Sequence, residues 1–366
     1  MSAKKLSIAY WKKWMEENER LATVVFFAIG FVFDSLTLSR IDNLLDMTIL
    51  FGWLFVASAG VIAVDISRFR ESRFKFLRKE NKWLEFIVPF SLGNLFSGVT
   101  IFYSRSASFL VSWPFLIIII ALFIGNEFFK KRYLRLNFQI SILFATVYFL
   151  MIPFVPIIIG NTSDSIFLLS GAISLLAIGA FIHFLYFFLP REARANRIKL
   201  TSSIGGIFIA VNFFYFTNLI PPLPLSLKDA GIYHYMERTA SGKYFFQKEI
   251  KKPFDVLDFY EKIHVVQGES LYFYSAVFSP TRLNTNIIHS WQYYDPKADT
   301  WVVSANIRFP IYGGADGGYR GYSEKTNIFP GKWRVDVTNE RGQVLGRERF
   351  EIISVERGVP LESVIK

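Results

Sequence analysis

The residues best placed to do chemistry are charged or amide side chains where the chain should be apolar. Asp34 sits inside a hydrophobic run, about 8 Å from its end at about 1.5 Å per residue. A carboxylate inside a membrane span is costly and marks a candidate functional position. Arg40, Asp42 and Asp46 follow at the end of the same run, and Asn94 and Asn212 fall at similar depth in later runs. Such a polar layer suits a proton or substrate path. It equally suits helices locked by one ion pair and a few amide hydrogen bonds. A second group lies near the other end of the chain, in YGGADGGYRGY (312–322). Tyr319, Arg320 and Tyr322 suit stacking on a sugar or capture of an anionic group, beside glycines that let a ligand near the backbone. On a strand, Arg320 and Tyr322 share one face and Tyr319 takes the other, so Arg320 and Tyr322 are expected outside and Tyr319 buried. The bland reading is a Gly-rich hairpin with an edge tyrosine pair.

Other chemistries find little support. The four histidines, His183, His234, His264 and His289, are scattered, with no i, i+4 pair and no acid at ligand spacing. No metal or cofactor is expected. The absence of cysteine removes disulfides, thiol catalysis and thiolate metal sites. There is no nucleophile elbow and no phosphate-cradling glycine loop. The reading is non-enzymatic.

The elements that must carry these residues are membrane helices followed by strands. The chain has 366 residues, 52% of them hydrophobic and 18% aromatic, with a formal charge of +11. Seven apolar runs, near 21–39, 44–65, 84–103, 107–127, 138–159, 165–189 and 200–220, approach the roughly 20 residues needed to cross a bilayer. Lys4, Lys5, Lys12, Lys13 and Arg20 precede the first. Dense basic clusters fill Arg68–Lys82, Lys130–Arg135 and Arg191–Lys199, while the alternate loops carry only Arg40 and Arg105. This asymmetry puts the N-terminus in the cytoplasm and, with an odd number of spans, the C-terminus outside. The positive charge thus orients the chain in a membrane, and nucleic-acid binding is not supported.

Residues 1–20 read as an amphipathic interfacial helix, with Leu6, Tyr10 and Trp14 at i, i+4, i+8 among lysines. Residues 21–220 form the seven-helix transmembrane region. Pro221, Pro222 and Pro224 then end the last span, and 221–227 is expected as an extended proline strut. Residues 228–366 form the last domain, with 228–260 undecided between a helix and an irregular lead-in. Beyond them the apolar residues alternate with period two in runs near 261–266, 270–279, 285–294, 300–309, 331–338 and 344–353. Short strands at that spacing predict an antiparallel sandwich or barrel, and the β-sandwich is the architecture expected here.

The segments VVQGESLYFYSAVFSP (265–280), IIHSW (287–291), GGADGGYRGYSEK (313–325) and GKWRVDVTNERGQVLGRERF (331–350) carry a resemblance. They resemble the bacterial family called domain of unknown function 2914, in its HxW strand, its Gly-rich turn before an aromatic–Arg segment, and its WRVDV…GQ…GR…F ending. FDSLTLSRIDNLLD (Phe33–Asp46) is similar to the membrane region that often precedes the domain. The resemblance implies a bacterial envelope protein of the inner membrane and supplies no catalytic residue and no substrate. Two functions follow as expectations. In the first, an extracytoplasmic domain binds a partner protein or glycan of the envelope. In the second, a transporter or lipid-handling protein works through the layer around Asp34.

Overall fold

Apolar runs of this length become helices because a backbone out of water must satisfy its own hydrogen bonds. The computed structural model describes residues 29, 31–38, 40–68, 81–106, 109–128, 135–188, 190–240, 242–250 and 260–365. The expected helix at 1–20 and nearly all of the basic loop 68–82 lie outside these residues. Residues 31–37 are helical. Seven further helices follow among the described residues: α1 (Leu44–Arg68), α2 (Asn81–Ser106), α3 (Phe109–Phe128), α4 (Leu136–Ile159), α5 (Asp164–Phe188), the short α6 (Pro190–Ala195) and α7 (Arg197–Phe216). Five of them are long and apolar enough to cross a membrane, within α1, α2, α4, α5 and α7; α3 carries a shorter apolar stretch, Ser112–Gly125. Pro89, Pro114, Pro153 and Pro156 all sit within helices.

The chain divides into two compact units. One comprises Met1–Phe102, Ile118–Phe149 and Leu175–Ile207; the other comprises Tyr103–Ile117, Leu150–Ser174 and Phe208–Lys366. In the first, helices approach closely at small residues. A methyl group placed on Gly98 would meet Leu50 Cδ2 at 2.6 Å, and one on Gly60 would meet Val88 at 3.0 Å. Trp53 meets Phe90 edge to face at 5.5 Å, and Asn137 Nδ2 donates to Ser203 Oγ at 3.3 Å.

In the second unit the chain beyond α7 turns to strands: β1 (Ser226–Tyr233), β2 (Tyr235–Arg238), β3 (Tyr244–Glu249), β4 (Glu261–Val266), β5 (Leu271–Phe278), β6 (Thr285–Asp295), β7 (Thr300–Ile311), β8 (Tyr319–Lys325), β9 (Gly331–Asn339), β10 (Val344–Val355) and β11 (Leu361–Ile365). They form three sheets, ordered β1-β5-β8, β4-β10-β9-β6-β7 and β11-β3-β2. The strands β4 to β7, β9 and β10 fall where alternation places them, and the end of the Gly-rich segment forms β8. β1, β2 and β3 occupy the undecided stretch before 260. Most pairs are antiparallel, but β10 and β4 run parallel, which their long separation in sequence permits and a hairpin would not.

The main core joins Phe273 and Val277 of β5 to Ile287 and Trp291 of β6, Trp333, Val335 and Val337 of β9, and Phe350 of β10. A second, smaller core of Tyr233, Met236, Tyr244, Phe246, Tyr274 and Ala276 lies on the other side of β5, where the β2–β3 sheet covers it. The segment after α7, expected as an extended strut, is instead buried and turned. Leu223 N donates to Pro221 O at 2.8 Å and Leu225 N to Pro222 O at 3.0 Å. Ile220 and Leu225 are fully enclosed, and Gln343 Nε2 donates to Ile220 O at 3.2 Å. Packing by these apolar neighbours outweighs the extended preference of isolated prolines.

The helix ends in this unit meet the β9–β10 turn. Arg341 lies over the Tyr215 ring at 3.8 Å and pairs with Asp164 at 2.8 Å, while Phe167 stacks on Tyr215 at 3.5 Å. A cavity of about 50 Å³, lined by Pro156, Tyr215, Leu223, Asn339, Arg341 and Gln343 among others, lies beside this stack.

Candidate functional site

Strand alternation brings a set of tyrosines to one face. Along β5, Leu271, Phe273, Ser275 and Val277 point into the main core, so Tyr272 and Tyr274 point the other way. In the β5–β8 register Tyr322 lies opposite Tyr274 and Arg320 opposite Ala276, placing them on the same face as Tyr272. Tyr274 is covered by β2 and β3, whereas Tyr235 (39% exposed), Tyr272 and Tyr322 (41% exposed) remain at the surface. Ring centroids lie 5.9 Å apart for Tyr235–Tyr272 and 6.3 Å for Tyr272–Tyr322, and Tyr244 meets Tyr322 at 6.4 Å. Tyr235 Oη donates to Glu237 Oε2 at 3.0 Å, and Tyr272 bonds Glu324. Burial and then Glu324 push the Tyr272 phenol above its ordinary pKa, so it remains a donor at neutral pH. Tyr244 Oη donates to Arg320 O at 3.1 Å, which fixes the backbone of β8 against β3.

Arg320 and Tyr322 are thus exposed side by side, and Tyr319 is partly buried against the main core. Most of the nearby glycines have structural reasons. Gly318 has φ +84°, and a methyl group there would meet the Val277 backbone at 2.9 Å. On Gly321 it would run into the Phe309 ring, so the close approach of β8 and β7 favours glycine at that point. Tyr235 and Tyr272 are the members of this surface that sequence reading did not single out. The period-two pattern of β5 signals Tyr272; nothing local signals that β2 returns to cover that face.

His289 is fully buried. Its Nε2 lies 2.8 Å from Ser275 Oγ and its Nδ1 2.9 Å from Ser323 Oγ, which also accepts from Trp291 Nε1 at 3.0 Å. Phe273 and Phe309 pack edge-on against the ring at 4.6 and 4.7 Å. Burial pulls its pKa down to about 3, so the imidazole is neutral and joins two serines within the core, away from solvent. Elsewhere Glu249 is bonded by His234 Nε2 (3.0 Å), His264 Nδ1 (2.8 Å) and the His264 backbone N (2.5 Å). Burial raises the Glu249 pKa, and these three bonds together outweigh it and hold the carboxyl below its ordinary range. The arrangement ties β3 to β4. Among the described residues no cluster of His, Cys, Asp and Glu has the makings of a metal site.

Of the polar candidates in the helical region, Arg40 holds Asp42 through Nε at 2.9 Å and Nη2 at 2.8 Å, and its backbone N donates to Asp46 Oδ2 at 3.3 Å. Those three residues come together. Asp34 interacts with Ser97 of α2. Asn94 and Asn212 each donate from Nδ2 to the carbonyl four residues earlier, Phe90 O at 2.9 Å and Phe208 O at 2.8 Å. Asn212 belongs to the second unit and the others to the first.

No curated protein matches the chain. Among solved structures, the β-glucosidase of Listeria innocua in complex with gluconolactone is similar over 32% of this chain at 14% identity, with a TM-score of 0.19. This chain covers 16% of it. The alkylpurine DNA glycosylase of Pseudomonas fluorescens, bound to DNA with an abasic site analog, covers 85% of this chain and is itself 99% covered. Its identity is 10% and its TM-score 0.22. Neither likeness is close enough to carry an argument. The residues that build β6 to β10 are another matter: 284–352 match the family described as Protein of unknown function (DUF2914).

Proposed function

We propose that this is a bacterial inner-membrane protein that displays an extracytoplasmic β-sandwich, and that the sandwich binds an envelope glycan through its tyrosine surface without catalysing a reaction. The observation that carries the reading is the row of exposed Tyr235, half-buried Tyr272 and exposed Tyr322, with Arg320, Glu237 and Glu324 around it. Aromatic faces receive the C–H faces of sugars, and charged groups at the rim bond their hydroxyls. A partner protein would use the same tyrosines as anchors. The β1-β5-β8 sheet and the five-stranded sheet share one core, which supports reading them as the two layers of a sandwich. The five long helices and the apolar stretch of α3 support six of the seven spans of this reading, and the apolar run 21–39 is proposed as the other. The basic asymmetry of their loops supports a cytoplasmic N-terminus.

The test uses the full chain, because helix ends cover the β9–β10 turn and an isolated C-terminal fragment would bare it. Purified protein is titrated onto an array of bacterial envelope oligosaccharides. The expected result is binding that Arg320→Ala with Tyr322→Ala lowers by about tenfold or more, with an unchanged thermal melt. Tyr319→Ala is expected to lower the melt instead. Binding unaffected by the double substitution, or a double variant that no longer folds, defeats the site assignment. A reporter fused after Lys366 that is active in the cytosol defeats the orientation. The transporter reading rests on Asp34 facing the neutral Ser97, and loss of function in Asp34→Asn at normal abundance would favour it.

A further inference from the structure

Among the described residues of β9 and β10, the outer face of the five-stranded sheet, away from the tyrosine surface, carries Lys332, Arg334, Arg347 and Arg349 against Asp336 and Glu351. Along β9, Trp333, Val335 and Val337 enter the core, so Arg334 and Asp336 face outward. The β9–β10 register sets Arg347 opposite Asp336 and Arg349 opposite Arg334. Arg347 takes the Asp336 carboxylate with two bonds, Nε to Oδ1 at 2.5 Å and Nη2 to Oδ2 at 2.7 Å. Arg334 is left with a neutral acceptor: its Nε and Nη2 donate to Gln292 Oε1 at 2.9 and 2.7 Å. Its guanidinium rests over Trp301 at 4.4 Å. Arg349 Nε is buried and meets no acceptor among the described residues.

Two guanidinium groups directly opposite on neighbouring strands repel each other. Burial first, then Arg347 and more weakly Arg349, depress the Arg334 pKa, while Asp336 opposes them only in part. Such a pair costs stability, yet it is held in place by Gln292 and Trp301. Forked N–H donors fixed in a partly dry setting match the geometry of a phosphate oxyanion.

We propose that Arg334 and Arg349 form an oxyanion site that takes a phosphate group, either free or as an anionic lipid headgroup. Charge neutralisation on binding removes the repulsion, so occupancy stabilises the domain. The site is separate from the tyrosine surface and stands whether or not that surface binds glycan.

The experiment follows the thermal melt of the full chain in phosphate-free buffer. One arm adds inorganic phosphate to protein in phosphatidylcholine nanodiscs; the other compares phosphatidylglycerol with phosphatidylcholine nanodiscs. A free-phosphate site raises the melt in the first arm, and a headgroup site raises it only in the second. In either case Arg349→Gln is expected to raise the melt without ligand, because the repulsion is gone. It also weakens binding by about tenfold or more, and abolishes the ligand-induced rise. Arg334→Gln also loses the rise and confirms the pair. Three results overturn the proposal: no rise in either arm, a rise that survives both substitutions, or an Arg349→Gln protein that melts lower without ligand. The last would mean that acids of the chain itself already pair Arg349.

Discussion

The helices and the strands of this protein satisfy their polar side chains in opposite ways. In the helices, a hydroxyl or amide closes on the carbonyl four residues back: Ser58 on Leu54, Ser141 on Asn137, Thr146 on Ile142, Ser174 on Ser170, Asn212 on Phe208. In the strands the partners are remote: His289 with Ser323, Arg334 with Gln292, Arg347 with Asp336. Local closure works only where the backbone brings carbonyls round every turn. A strand points its polar groups away from its own backbone and needs another strand to answer them. Helix residues that only back-bond in this way therefore tolerate substitution better than polar residues that join strands, whereas Asn137, which reaches Ser203, behaves like the latter.

The sharpest test of that contrast is the Asp336–Arg347 pair, since Asp336 is 4% exposed. Arg347→Ala leaves a buried carboxylate without its charged partner and is expected to cost about 3–5 kcal/mol, measured by denaturant midpoint. A loss below about 1 kcal/mol would mean that Gln292 alone satisfies Asp336.

Acid supplies the next largest effect through His289. The unfolded imidazole binds a proton near its ordinary pKa of 6.5, while the folded one waits until about 3. Between these values the unfolded state holds the extra proton, so each pH unit of acidification removes about 1.4 kcal/mol of stability. The loss should be followed between pH 6.5 and 5, above the range where Glu249 titrates. His289→Gln is expected to flatten that slope, and an unchanged slope would place the acid sensitivity elsewhere.

A smaller effect is expected at the β9–β10 turn. Gln343→Ala removes the donor to Ile220 O and the acceptor of Asn339 Nδ2 at 2.8 Å, and should cost about 1–2 kcal/mol. The smallest belongs to the helices: Ser174→Ala should change the melt by less than about 0.5 kcal/mol, because only a back-bond to its own helix is lost. Should Ser174→Ala cost as much as Gln343→Ala, the contrast between the two regions fails.

Much of the fold could be read before the structure, for reasons that are local. Span lengths, the prolines within them and the period-two runs of β4 to β7, β9 and β10 depend on a few neighbours at a time. Alternation also put Arg320 and Tyr322 on one face. Four strands went unread: β1, β2, β3 and β11. Their burial patterns do not alternate cleanly, because β1 and β3 are covered on parts of both faces and β11 lies exposed at an edge.

The candidate sites were legible only in halves. Tyr322 was visible, but its neighbours Tyr235 and Tyr272 arrive from strands far away in sequence. Trp333-Arg334-Val335-Asp336-Val337 was visible as an alternating motif, but the Arg349 that faces Arg334 is set by register, and a slip of one residue would send it to the other face. By itself the sequence determined a set of long apolar helices followed by a β-rich region, since hydrophobic length and periodicity act through adjacent residues. Only the tertiary structure decided that the prolines fold into a buried turn, that His289 is sealed between two serines and that two arginines stand opposed. Each depends on contacts whose partners the chain brings together only once the sheets have closed.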